Sequence, residues 1–196
     1  MIFSTSYFPP IEFFIRISGK KEILLEGNEY YLKQTYRNRC NILTNQGVMP
    51  LTIPVKKVNG NKTLIKDIEI DFDTEWQSIH LKSIDTAYSS SPFYEFYIED
   101  FIIFFEKKYK YLLDFNTMIL EKLFEEFEIE KKIKFTEFFE NNYNDDFRNS
   151  INPKIIQNSI HFKDYSQVFT QFGFVKNLSV LDLLFNEGTN SYKFLE

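Results

Sequence analysis

The spacing of apolar residues changes near Phe72, and this change is the strongest constraint on the fold. Before it, Ile68, Ile70 and Phe72 alternate with acidic residues, which predicts a half-buried strand. After it, apolar residues from Trp76 to Ile84 recur at the three- and four-residue intervals of a helix. A chain that carries both patterns favours a mixed α/β domain.

The N-terminal third predicts a β-α-β start followed by a hairpin. Residues 1–8 indicate a short strand, the two prolines that follow open a helix through "IEFFIRIS", and "KEILLEG" predicts a second strand. Residues 39–55 predict a hairpin around Asn45-Gln46-Gly47, and Asn59-Gly60-Asn61 predicts another turn.

The middle and C-terminus of the chain are predicted to be mainly helical. Residues 93–107 and 114–128 indicate two helices, and "KIKFTEFF" indicates a return to a strand. Ser179 is a candidate N-cap for a last helix that Gly188 ends. Because no Pro/Gly/Ser-rich linker divides the chain, we expect one mixed-sheet α/β domain over residues 1–196.

Composition excludes several classes of protein. Aromatic residues make up 18% of the chain, which excludes a disordered protein. The net charge of −5 argues against duplex nucleic-acid binding, although a local basic site is compatible with it. A single cysteine and two histidines argue against a multi-cysteine or histidine-rich metal site, so we predict no metal and no cofactor.

Neither a signal peptide nor a membrane span is predicted from the sequence. The N-terminus has no basic region ahead of its apolar residues, and the apolar run "FIIFF" is far too short to cross a bilayer. We therefore expect a cytoplasmic protein without membrane insertion.

A basic segment, "YLKQTYRNRC", stands out in this acidic chain. If it is extended, Lys33, Arg37 and Arg39 share one face and, with the amides of Gln34 and Asn38, could bind a phosphate or carboxylate. The alternative is a solvated surface with all three cations outside. Single-stranded nucleic acid is a weaker third possibility, because no further basic tract follows.

Four other residues are candidates for chemistry. His80 lies on the apolar face of its predicted helix and could be a general base or a hydrogen-bonded core residue. Glu95 lies among four aromatic residues; burial there would raise its pKa, but it could equally point to solvent. Asn116 shares an apolar helix face, where a buried amide needs partners. Cys40 could be a nucleophile beside a cation, although its apolar neighbours favour an inert buried thiol.

Several blocks occur in an order that resembles the WbqC-like protein family of bacteria. They are "STSYFPPIEFF", "KQTYRNRC", "LTIPV", "IEIDFDTEWQSIHLKSIDTAYSSSPFYEFY", "LLDFN" and "NLSVLDLLFN". The resemblance covers residues 4–186 and is densest over residues 33–97. The positions that match the family pattern are Tyr7, Pro9, Lys33, Arg37, Asn38, Trp76, His80, Tyr88, Ser91, Pro92, Phe93, Asp114 and Asn116.

The resemblance implies a role in surface-polysaccharide (O-antigen) biosynthesis, with glycine or amino-acyl transfer to an amino sugar suggested for some members. Many members carry a His-Gln-Pro block where this chain has Phe3, Ser4 and Thr5. If that histidine were catalytic, the chemistry here would rest on another residue such as His80, or this branch would do something different.

The leading hypothesis is a transferase with a cleft for a small anionic substrate, either a nucleotide-linked sugar or an acyl donor. The basic segment would bind the anion, Tyr7 and Trp76 would offer stacking surfaces, and Tyr88, Ser91 and Asn116 would complete the binding site. His80, with Glu95 as second choice, would act as the general base. The alternative is a non-catalytic binding or scaffold protein of a polysaccharide-biosynthesis complex. The oligomeric state stays open.

Overall fold

The N-terminal β-α-β unit builds a small parallel sheet. The computed structural model describes residues 1–56, 62–155 and 160–196, so the predicted turn at 59–61 lies outside the described residues. Strand β1 (Ile2–Ser4) is followed by helix α1 (Ile11–Ile17) and strand β2 (Glu22–Glu26). Strand β5 (Lys132–Phe135) adds to the other side of β2, giving the order β1-β2-β5 with both pairings parallel. The predicted β-α-β start is confirmed.

The predicted hairpin forms a second, two-stranded sheet. Strand β3 (Arg39–Thr44) pairs antiparallel with β4 (Gly47–Thr52). Its connection contains two residues between the paired Thr44 and Gly47, rather than the three expected. Gly47 has a φ of 100°, a conformation that glycine adopts without steric cost.

Four helices make up much of the middle and the C-terminal part. They are α2 (Trp76–Tyr88), α3 (Tyr94–Glu106), α4 (Leu112–Glu126) and α5 (Val180–Glu187). The Oγ atom of Ser179 accepts a hydrogen bond from the backbone N–H of Leu181, so the predicted N-cap of α5 is confirmed. None of the described helices has the length and apolar character needed to cross a bilayer.

The strand predicted around residues 68–72 does not form. Ile68 and Ile70 are buried as the alternation requires, but they follow a 3₁₀ turn at Ile65–Asp67 and pair only through isolated bridges. Ile70 bridges to Val55 on one side, and Glu69 bridges to Tyr111 on the other. The alternation therefore reports burial correctly, while the hydrogen bonds go to two different segments and build no continuous ladder.

Aromatic side chains fill the space between the two sheets and the helices. Phe115 of α4 is fully buried, and its ring packs against those of Tyr7, Trp76 and Tyr109 at centroid distances of 6.0, 6.0 and 4.9 Å. The mixed α/β fold with a helical middle and C-terminus is confirmed.

Candidate functional site

The carboxyl ends of the three parallel strands meet at one edge of the sheet. Ser4 is in register with Glu26, and Leu25 is in register with Phe135, so β1, β2 and β5 end close to one another. Thr136, directly after β5, donates from its hydroxyl to Oε1 of Glu26 at 2.5 Å. Open α/β sheets bind ligands at this carboxyl edge, which makes it the first place to look for a site.

Arg37 reaches this edge from the basic segment and is buried there. Its side chain is 2% exposed. Nε and Nη2 donate to the two carboxylate oxygens of Glu29 at 2.8 and 2.6 Å, and Nη2 also donates to Oγ of Ser4 at 2.6 Å. The guanidinium is thus paired bidentately, and its charge is neutralised inside the protein.

A second buried arginine completes the same network. Arg148 donates from Nη1 to Oε2 of Glu26 at 2.8 Å and from Nη2 to Asp146 at 2.6 Å, while its backbone carbonyl accepts from Arg37 at 3.1 Å. Glu26 is fully buried and Arg148 is 4% exposed. Two arginines and three carboxylates therefore tie the ends of β1 and β2 to the segment around residue 148.

The prediction that Lys33, Arg37 and Arg39 share one face is wrong. Residues 33–38 form turns, and extended structure begins only at Arg39. Gln34 has a φ of 59°, and this left-handed residue reverses the chain so that Arg37 points inward. Lys33 and Gln34 stay exposed, and Arg39 is half-buried with Nε donating to Oγ1 of Thr52.

Three exposed lysines belong to the basic segment or contact residues near it and near the carboxyl edge. Lys66 donates from Nζ to Oδ1 of Asn28 at 2.7 Å, and the side-chain amide of Asn28 donates to the backbone carbonyl of Thr136. Lys154 donates to Oε1 of Gln34 at 3.1 Å. Both acceptors are neutral amides, so these hydrogen bonds leave the lysine charges uncompensated. We call Lys33, Lys66 and Lys154 the lysine rim.

His80 is confirmed on the buried face of α2, against the hairpin. Its Nδ1 lies 3.0 Å from the hydroxyl of Tyr7, and its ring packs on Trp76 at 5.1 Å. Burial lowers the pKa of His80 to about 4, while a hydrogen bond to the backbone of Thr52 acts in the opposite direction. The ring is therefore neutral at pH 7 and is only 4% exposed.

Two buried amides hold the turn that carries Arg37. Asn38 donates to the backbone carbonyl of Ile53 at 2.8 Å, and Asn116 donates to the backbone carbonyl of Arg37 at 2.7 Å. Asn116 was expected to be either a network residue or a ligand contact; its side-chain hydrogen bond goes to the backbone of Arg37, and its role in substrate binding stays a prediction. Together with Tyr7, whose backbone N–H donates to the carbonyl of Tyr36, they fix the turn against the core.

The remaining predicted residues lie apart from the carboxyl edge. The Tyr88 hydroxyl accepts from the backbone N–H of Leu43 at 3.3 Å, and Ser91 donates from Oγ to the carbonyl of Tyr88 at the end of α2. Glu95 is exposed in the first turn of α3, so the burial on which its role as a base depended is not observed. Trp76 is buried between Phe72, His80 and Phe115, which leaves its ring no free stacking face there.

Sequence reasoning missed the partners of the two arginines. Glu26 ends a predicted strand and Glu29 follows three residues later, so acidic residues after a strand of a parallel sheet were an available signal. Arg148 lies in an asparagine-rich stretch without periodicity, and nothing in its neighbourhood predicts its burial. In residues 1–56, 62–155 and 160–196, no group of three or more histidine, cysteine or acidic side chains is arranged to hold a metal ion.

The fold and this edge define a class: an α/β protein with a polar, charge-paired carboxyl edge on a small parallel sheet. The chain belongs to the WbqC-like protein family, whose family model matches residues 5–146 and 143–194. It is also similar to the uncharacterized protein Rv1507c of Mycobacterium tuberculosis (strain ATCC 25618 / H37Rv), with 29% identity over 90 residues. That match covers 46% of this chain and 38% of the relative. No solved structure matches the chain significantly.

Proposed function

We propose that the protein is a cytoplasmic transferase of surface-polysaccharide biosynthesis that binds an anionic donor at the carboxyl edge of its parallel sheet. The donor class is a nucleotide-linked sugar or an activated acyl group. The observation that supports this proposal is the lysine rim, because Lys66 is hydrogen-bonded to the neutral amide of Asn28 at that edge and Lys154 to the neutral amide of Gln34 in the basic segment.

The ligand contacts in this proposal come from the rim and not from the arginines. The donors of Arg37 and Arg148 already serve Glu29, Glu26 and Asp146, so a phosphate would have to displace buried carboxylates to reach them. Exposed lysine ammonium groups can reach a phosphate without displacing a buried carboxylate, and lysine is a common phosphate ligand. The two arginines instead hold the carboxyl ends of the strands in place through their ion pairs.

A binding assay on rim variants tests the site. We expect Lys66→Gln/Lys154→Gln to weaken binding of a nucleotide-linked sugar by about tenfold or more, as the loss of two charge-assisted hydrogen bonds implies. Calorimetric titration of a panel of nucleotide-linked sugars and nucleoside diphosphates measures this. Lys82→Gln on the exposed face of α2 is the matched control. Equal affinity of the double variant and the control would contradict the site.

A non-catalytic binding protein is a second candidate, and the position of His80 favours it. A general base must reach the proton that it removes, directly or through one water molecule. His80 is 4% exposed and hydrogen-bonded to Tyr7. Mass spectrometry of mixtures containing donor, amino-sugar acceptor and protein distinguishes the candidates. A transferred group that disappears in His80→Asn supports catalysis through His80, whereas binding without any product supports the second candidate.

A further inference from the structure

A cavity of about 280 Å³ lies between the basic segment and the hairpin, and residues of both line it. Tyr36, one residue before the inward-turning Arg37, forms part of its wall. Asn41 of β3 and the residues just before α5 form other parts. The volume is slightly below the range of about 300–1,000 Å³ typical of pockets for drug-sized ligands, so only a small molecule fits.

Three residues whose side chains carry hydrogen-bond donors line this cavity from separate parts of the chain. They are Tyr36 with a phenol, Asn41 with an amide and Lys176 with an ammonium group. Burial, more than the nearby Glu12, raises the pKa of Tyr36, so its hydroxyl stays protonated and able to donate. Asn41 and Lys176 make no side-chain hydrogen bond with another residue of the described ranges.

The charge beside the cavity is positive. Glu12 is 1% exposed, but its Oε1 atom is paired with Arg16 at 2.7 Å and its Oε2 atom accepts from Asn177 at 3.2 Å. Arg16 compensates Glu12, and among residues 1–56, 62–155 and 160–196 no carboxylate forms an ion pair with Lys176, which lines the cavity wall. Donors and a cation without a free carboxylate suit an anionic ligand.

The rest of the wall is apolar. Val48 of β4, Ile155 and Phe162 line the cavity, and two of them are markedly exposed, Val48 at 51% and Ile155 at 46%. Large aliphatic side chains left accessible beside a cavity gain free energy when an apolar group covers them. An apolar wall with a few convergent polar groups is the usual composition of a small-molecule site.

We propose that this cavity binds a small molecule in which a carboxylate is joined to a short apolar chain. Lys176, Asn41 and Tyr36 donate to the carboxylate oxygens, which together accept up to about four hydrogen bonds. Val48 and Ile155 cover the apolar chain. The cavity wall includes Pro153 and Ile155, on either side of Lys154 of the lysine rim, but none of the three proposed carboxylate ligands belongs to the rim, and the proposal does not depend on the transferase function.

Chemical-shift mapping with simple probes tests this site. Butanoate and hexanoate should shift the amide signals of Asn41 and Asn177 in the ¹⁵N-labelled protein, with hexanoate binding more tightly because it covers more apolar wall. Hexylamine and hexanol, which lack the carboxylate, should bind at least about tenfold more weakly, as expected for loss of a charge-assisted contact. No shift of these signals, or equal binding of hexylamine, overturns the proposal.

Two variants separate the polar and apolar contributions. Lys176→Gln should lower hexanoate affinity about tenfold, while the Lys82→Gln control leaves it unchanged. Val48→Asn should reduce the difference between hexanoate and butanoate and leave butanoate affinity close to that of the wild-type chain. Neither Lys176 nor Val48 is buried, so neither change threatens folding. Unchanged hexanoate affinity in Lys176→Gln assigns the ligand to another surface and contradicts the proposal.

Discussion

Arg37 stabilises the protein through a buried ion pair, so its removal leaves Glu29 charged and without its main partner. We expect Arg37→Ala to lower the free energy of unfolding by about 3–5 kcal/mol. Arg39→Ala removes a half-buried arginine that contacts Thr52 and should cost no more than about 1 kcal/mol. Urea unfolding of both variants measures the difference. Similar losses of unfolding free energy in the two variants would show that the ion pair of Arg37 contributes no more than an exposed contact.

His80 should make stability depend on pH. Its pKa is about 4 in the folded protein, below the ordinary value of 6.5, so the unfolded chain binds the extra proton first as pH falls. The contribution of His80 to the free energy of unfolding is fully present above pH 6.5 and is lost as pH falls from 6.5 through 4, by about 3 kcal/mol in total.

Comparison with His80→Asn isolates this contribution, because other buried groups titrate in the same range. The pKa of the buried Asp182 is raised by burial, which gives a pH dependence of opposite sign at low pH. The difference in unfolding free energy between the wild-type chain and His80→Asn should therefore shrink between pH 7 and pH 4.5. A difference that does not change with pH would mean that His80 has the same pKa in the folded and the unfolded protein, and so that burial does not lower it.

The burial and direction of single side chains were harder to predict from the sequence than the elements that carry them. The burial of His80 and Asn116 follows from helical spacing, because their apolar neighbours on the same face must be covered. The inward direction of Arg37 does not follow from any period, since it depends on a left-handed Gln34 and on hydrogen-bond acceptors 8 and 111 residues away in the sequence. Long-range pairing of this kind leaves no local pattern.

At the level of elements, Gly188 ends α5 and allows its backbone to pack closely against Phe93, the residue before α3. It has a φ of 54°, and a Cβ atom there would lie 2.6 Å from the ring of Phe93. We expect Gly188→Ala to destabilise the protein by about 2–4 kcal/mol, the sum of backbone strain and overpacking. Gly173→Ala is the matched control, because Gly173 has a φ of 65° but no described atom beyond its chain neighbours lies within 4 Å of the position that a Cβ atom would take.

Thermal unfolding of the two alanine variants separates the two contributions. Gly173→Ala should cost only the backbone contribution of about 1–2 kcal/mol. If both variants lose the same stability, the contact with Phe93 adds nothing and the close packing of α5 and α3 is not required.

The order of elements was predictable because local signals agree with tertiary structure over most of the chain. The proline pair, the hairpin turn and the Ser179 cap each fix an element end by local chemistry. The prediction for the segment around Ile70 failed because alternation reports which face is buried, whereas a strand also needs a continuous partner. In this protein the bridges go instead to two segments that are distant from each other in the chain.

Across the whole molecule, α1 of the β-α-β unit and the start of α5 connect the parallel sheet to the hairpin. The backbone N–H of Ser179 donates to the carbonyl of Asn41 at 2.8 Å, and that of Ile11 donates to the carbonyl of Leu178 at 3.0 Å. The Tyr88 hydroxyl links α2 to β3 in the same region. A chain connected in this way should unfold as one cooperative unit.

Cys40 gives a direct test of that cooperativity. Its thiol is 1% exposed in β3, and burial raises its pKa well above the ordinary value, so the folded protein should not react with thiol reagents. Labelling then requires opening of the hairpin from α2 and α5. We expect the free energy of opening obtained from labelling rates to equal the global free energy of unfolding, with the same dependence on urea. A smaller free energy and a weaker urea dependence would show that the hairpin detaches alone, which would place the cavity beside Tyr36 and Asn41 on a separately opening part of the protein.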